Sequence, residues 1–216
     1  MALLVTSNSV AIILLVILAF SGFITVSRGI GVFYKKRKKF EVFKIQYDSV
    51  KDLKSIISSV TAPFTFEVAV SQLGNEKAIY ITVPSGRGKS VVDKLNAKKV
   101  DDYDLYYPGG TVLGAYAGGS GSLKGISADS IDFSEVNEIG EGVVVQFIFK
   151  KKRGRRVTAN VRTLVSAPSS YQAKEILNRI KHSLAGLKMT EVKNEDFVSN
   201  VNNRVFDGSE SVVLSL

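Results

Sequence analysis

Residues 64–83 read FTFEVAVSQLGNEKAIYITV, and this stretch decides the fold class. Phe64, Phe66, Val68 and Val70 alternate with smaller or polar residues, the period of a strand with one apolar face. Gly74-Asn75 is a turn signal, after which Ile79, Ile81 and Val83 resume the alternation, so a β-hairpin is predicted. Upstream, Phe43, Ile45 and Tyr47 alternate along an earlier strand. Val50, Leu53, Ile56, Ile57 and Val60 then recur at helical spacing behind the candidate caps Asp48 and Ser49. Downstream, a short helix around Val91, Val92 and Leu95 leads to Tyr103, Leu105 and Tyr107, a fourth strand ending at Pro108-Gly109. The order β-α-β-β-α-β predicts a ferredoxin-like domain over residues 39–108 of an α+β chain.

Residues 109–122, GGTVLGAYAGGSGS, hold six of the 18 glycines, too many for a packed element. They open a Gly-rich linker or loop over 109–141, whose later part is polar and acidic. A second, smaller α/β unit is expected over 142–216. It contains the strands VVVQFIF and VTANVRTLV and a helix over Ser169–Leu187 with Ala173, Leu177, Ile180, Leu184 and Leu187 on one face. Val212–Leu216 is a candidate last strand, which would make this unit a divergent copy of the first.

Ahead of these units, Ser9–Ser27 reads SVAIILLVILAFSGFITVS with no charge. About 20 apolar residues suffice for a helix to cross a bilayer. Met1–Asn8 carries no basic side chain, whereas Lys35, Lys36, Arg37, Lys38 and Lys39 follow the apolar run. These flanks favour an N-terminal transmembrane helix, an uncleaved anchor over 1–34, above a cleaved signal peptide. They also place the N-terminus outside and the remainder in the cytoplasm of a single-pass cell-membrane protein. The same five cations are candidate contacts to anionic headgroups at the membrane surface.

The formal net charge is +9, but it is local. Lys35–Lys39 together with Lys150, Lys151, Lys152, Arg153, Arg155 and Arg156 account for 11 of the 29 basic residues. Without them 18 basic residues face 20 acidic ones, so the rest of the chain is nearly neutral. The six cations at 150–156 read as a hairpin tip that could meet a phosphate backbone, a membrane or an acidic partner. The plain alternative is a solvated turn that discourages edge-to-edge aggregation.

Motifs for catalysis are missing from the sequence. There is no cysteine, which excludes disulfides, thiolate metal sites and cysteine nucleophiles. Ser85-Gly86-Arg87-Gly88-Lys89-Ser90 looks like the end of a phosphate-binding loop. Val83 stands where that loop requires its first glycine, so a strand-to-helix connection is expected. His182, the only histidine, falls off the apolar face of its helix, and Asp101, Asp102 and Asp104 flank a strand. Tyr80 is a candidate base-stacking aromatic on the sheet, without the Gly-aromatic-Gly-aromatic run of RNA-recognition modules. The chain therefore reads as non-enzymatic, with no cofactor and no metal.

Taken in order, the anchor with its basic stop, FTFEVAV, AIYITVP, DYDLYYPGG, VRTLVSAP and MTEVKNEDF form a layout. Over most of residues 9–216 it resembles the membrane-anchored N-terminal region of conjugation and type IV secretion (HerA/FtsK-like) ATPases. Without a complete nucleotide-binding motif, the motor activity of that family is carried over to no residue. The resemblance implies a non-enzymatic, membrane-anchored scaffold or assembly domain of a secretion or DNA-transfer machine. Its expected partners are the membrane, other proteins including a motor ATPase, and further copies of itself. The alternatives are a membrane-tethered nucleic-acid-binding module using 150–156 and an inner-membrane pilus-assembly subunit.

Overall fold

A computed structural model describes residues 40–46, 53–71, 77–103 and 109–216. In chain order the elements are β1 (Phe40–Ile45), α1 (Leu53–Ser59), β2 (Phe64–Val70), β3 (Ala78–Pro84), α2 (Gly88–Leu95), β4 (Lys98–Val100) and β5 (Thr111–Ala117). They continue as β6 (Gly119–Ser122), β7 (Gly142–Arg153), β8 (Arg156–Ala167), α3 (Ser170–Ser183), β9 (Met189–Val192), α4 (Glu195–Asn202) and β10 (Ser211–Ser215).

All ten strands join one mixed sheet in the order β4-β1-β3-β2-β7-β8-β10-β6, with β5 pairing β8 and β9 off that path. Its spine is the β7–β8 hairpin, two strands of 12 residues each. β8 splits the sheet: its first half pairs with β10 and its second half with β5. Among the pairings, β10 with β6 is parallel and the others are antiparallel.

The sheet is covered on both faces, and the sequence of its central strands says why. Every residue of β2 is buried, as is Gly142–Phe149 of β7. Strands enclosed on both sides read as near-continuous apolar runs. On one face Phe64, Phe66, Val68 and Val70 join Phe43, Ile79, Ile81, Val145, Phe147 and Phe149. Helix α1 (through Leu53, Ile56 and Ile57), helix α2 (through Val91) and helix α3 (through Ala173, Ile176, Leu177 and Ile180) complete that core. Phe64 lies opposite Phe149 and Phe66 opposite Phe147, with ring centroids 4.9 and 6.1 Å apart. Such pairs add about 0.5–1.5 kcal/mol beyond the area they bury. On the second face, Ala69, Val144 and Leu164 receive Phe197 and Val201 from α4.

Several expectations are corrected. A ferredoxin-like domain followed by a second α/β unit would end its sheet at β2. Here the free edge of β2 pairs with β7 from Phe64↔Phe149 to Val70↔Val143, so both halves form one sheet, and Phe40–Leu216 is one compact unit. The fourth strand is Lys98–Val100, paired with β1; Leu105 and Tyr107 lie outside the described residues. The Gly-rich stretch read as linker contains β5 and β6. The single-pass membrane reading and its cell-membrane localisation are corrected as well. Among the described residues no helix is long and apolar enough to cross a membrane. The longest, α3, has 14 residues. The stretch 1–34, including the apolar run at 9–27, lies outside the described residues.

Candidate nucleic-acid interface

The basic run at 150–156 forms the far end of the β7–β8 hairpin, and all seven of its residues are exposed. Phe149 pairs with Ala159 and Lys151 with Thr158, which leaves Lys150 as an extra residue, a β-bulge. Beyond the bulge Lys152 lies opposite Val157, and Arg153 opposite Arg156. Gly154 has φ +57°, the left-handed conformation that a two-residue hairpin turn requires at its first position. The turn is held from the β10 side by Leu216 N–H, which donates to the Arg155 carbonyl at 2.9 Å.

Cross-strand partners share a face, so the register assigns each cation. Lys151, with Thr158, and Arg153, with Arg156, lie on the face that also carries Asn160 and Arg162. Lys150 belongs to the same side: its ammonium sits 4.5 Å from the ring centroid of Phe206. That segment is tied down by Asn160, whose amide donates to the Asp207 carbonyl and accepts from Asp207 N–H. Lys152 points to the opposite face. No ion pair among the described residues involves Lys150, Lys151, Lys152, Arg153, Arg155 or Arg156. Lys35–Lys39, the expected membrane-surface cluster, lie outside the described residues.

The phosphate-loop look-alike has another occupant. Gly86 N–H donates to Glu41 Oε2 at 3.1 Å, so the protein's own carboxylate meets the loop amide. Lys99 donates to Glu41 Oε1 at 2.8 Å. With the loop amides, Lys99 holds the Glu41 carboxyl below its ordinary range, against the opposing effect of burial. Gly88 is packed against Phe43, whose ring would stand 2.3 Å from an added Cβ. The glycines here serve packing and the turn.

A buried polar row crosses the second face of the sheet. Register places Tyr80, Glu67, Gln146, Arg162 and Tyr116 side by side on β3, β2, β7, β8 and β5. Glu67 accepts from Gln146 Nε2 at 2.7 Å, from the Tyr103 hydroxyl at 3.0 Å and from Arg204 Nε and Nη2 at 3.0 Å each. Arg204 also reaches both carboxylate oxygens of Asp102. Burial weakens the guanidinium's hold on its proton, but Glu67 and Asp102 outweigh it and keep Arg204 protonated. Tyr103 is pushed well above the ordinary phenol range by burial and by the Glu67 charge. Arg162, fully buried, donates to Glu210 at 2.6 Å and to the Val205 carbonyl at 2.7 Å. The row fastens α4 and the segment after it onto the sheet. Sequence reading missed it, although Glu67 and Arg162 standing inside otherwise apolar strands were the available signal.

Tyr80 is half-buried and stacked on Tyr103 at 4.3 Å, which removes it as a base-stacking platform. His182 is an exposed side chain whose Nδ1 lies 3.1 Å from the Asn178 carbonyl. Among the described residues no group of three or more His, Asp or Glu gathers to hold a metal ion. No family model, curated protein or solved structure matches the chain. The site is therefore argued from its own geometry. A shallow apolar groove of about 580 Å³ lies between β5, β9 and α4, lined by Val112, Gly114, Val192 and Val198 among others.

Proposed function

We propose that this chain is a non-enzymatic binding module that contacts the phosphate backbone of nucleic acid through the tip of the β7–β8 hairpin. One observation carries the reading: Arg153 and Arg156 are direct cross-strand partners, and among the described residues no carboxylate pairs with either. Like charges placed opposite each other weaken a hairpin. A solvated turn needs no such pair, whereas a polyanion neutralises it and releases counterions in doing so. On the second face Glu67, Tyr103 and Arg204 are engaged with one another in fastening the segment after α4 onto the sheet, which supports a binding role over chemistry.

The test is titration of a labelled duplex with the full-length protein at increasing salt. Binding that falls steeply with salt, and is lost in Arg153→Glu/Arg156→Glu, is the expected result. Salt-independent binding, or none at about 50 mM salt, overturns the reading.

A second reading is an assembly module within a secretion or DNA-transfer machine. It is favoured by strands β4, β6 and β9, each of which pairs on one side only among the described residues. Such edges are templates for another chain. A concentration-independent monomer by light scattering, with no crosslinked product, would count against it.

A further inference from the structure

The geometry points to a one-sided contact: the hairpin lies on duplex phosphates with the face bearing Lys150, Lys151, Arg153 and Arg156, while Lys152 takes no part. This rests on the polyanion reading above and adds which side chains and which form of nucleic acid it involves.

The two faces of the tip differ in what surrounds them. On the Lys152 side, Val157 and its β10 neighbour Leu214 are both buried in the main core, so the body of the protein covers that surface. On the other side the sheet is four strands wide, with β6 continuing the rows through Ser120 and Ser122. Lys151, Thr158 and Val213 form one row, with Val213 41% exposed, and Arg153, Arg156 and Ser215 form the next. The bulge adds a cation to this face and shifts the register by one residue beyond it, because Lys150 and Lys151 together lie opposite Thr158. The rows are about 6.8 Å apart, two residue steps of an antiparallel strand. Two carboxylates of the segment after α4 are occupied: Glu210 pairs with the buried Arg162, and Asp207 accepts from the Ser209 N–H and hydroxyl.

The form of the nucleic acid follows from the aromatics. Modules for single strands stack bases on exposed rings. The ring beside these cations, Phe206, is half-buried and already lies under the Lys150 ammonium. What the face offers is charge in an array braced by the β8–β10 pairing, which suits the regular phosphates of a duplex.

The test is a set of full-length single-residue variants titrated against one fluorescent duplex, and against its single strand, across a range of salt. For four contacts the slope of log K against log salt is about −3.6 on duplex. Lys151→Gln, Arg153→Gln and Arg156→Gln should each reduce it by about 0.9, whereas Lys152→Gln, which removes the same charge, should leave it unchanged. Unchanged thermal melts keep folding out of the comparison, since all four side chains are exposed. If wild type shows no salt-dependent binding, the polyanion reading itself falls. If wild type binds but Lys152→Gln weakens binding as much as Lys151→Gln, the one-sided contact is wrong and the polyanion reading stands. Tighter binding to the single strand overturns the duplex assignment.

Discussion

Arg204 holds Glu67 at two points, Nε to Oε1 and Nη2 to Oε2, each at 3.0 Å, across a sequence separation of 137 residues. The Glu67 side chain is 2% exposed and that of Arg204 9%. Removing one partner leaves an uncompensated buried charge, a change worth about 3–5 kcal/mol. Arg204→Met should therefore lower the unfolding free energy by that amount in urea denaturation at neutral pH. The double variant Glu67→Gln/Arg204→Met should recover part of the loss, since neither charge then remains. If the double variant is as unstable as the sum of the two single ones, the pair is not coupled.

Glu41 gives a pH dependence with a definite sign. Its folded carboxyl is held below the ordinary value, chiefly by Lys99 and further by loop amides. A carboxyl lowered on folding stabilises the protein above its unfolded pKa, and that contribution is lost as pH falls through the folded value. Lys99→Met should move the Glu41 titration upward, toward an ordinary glutamate, in carboxyl-resolved NMR. An unmoved midpoint would show that the loop amides alone are responsible.

Gly114 is a packing glycine. A Cβ there would stand 2.3 Å from Phe197 Cε1. Phe197 is 2% exposed and joins the cluster of Leu164 and Val201 on the second face, so its ring has little room to retreat. Gly114→Ala should cost about 1–3 kcal/mol by overpacking. Adding Phe197→Leu should make the alanine less costly than it is in the wild-type background. Additive losses in thermal denaturation would refute the clash.

At the hairpin tip the constraint is backbone conformation rather than space. Gly154 has φ +57° and nothing within 4 Å of an added Cβ. Gly154→Ala should destabilise by about 1–2 kcal/mol through left-handed strain alone. Gly154→Asn should be better tolerated, because a short amide side chain adopts that conformation more readily. Equal melting temperatures for the two variants would contradict this.

Much of the element pattern was legible in the sequence, while the architecture was not. FTFEVAV and AIYITVP do pair as β2 and β3, and the helix expected over Ser169–Leu187 is α3, Ser170–Ser183. Alternation identifies a strand but not its neighbours. The β2–β7 pairing joins residues about 80 positions apart, and no local pattern encodes it. β5 was misread because its glycines suggested a flexible linker, yet Gly114 is there to admit a ring from α4. For the candidate site, the cations at 150–156 and their hairpin were visible in the sequence. Which of them share a face depends on the bulge at Lys150, which only the register reveals.

The placement of β10 has a consequence for synthesis. It lies between β8 and β6, parallel to one and antiparallel to the other, and β6 pairs with no other strand among the described residues. As the chain leaves the ribosome, Gly119–Ser122 emerges about 90 residues before Val212–Ser215, the strand it pairs with. Until then the first half of β8 also presents a bare edge. Such late, long-range closure slows folding and exposes the nascent chain to association. The rim of this sheet is completed only once Ser211–Ser215 has been made.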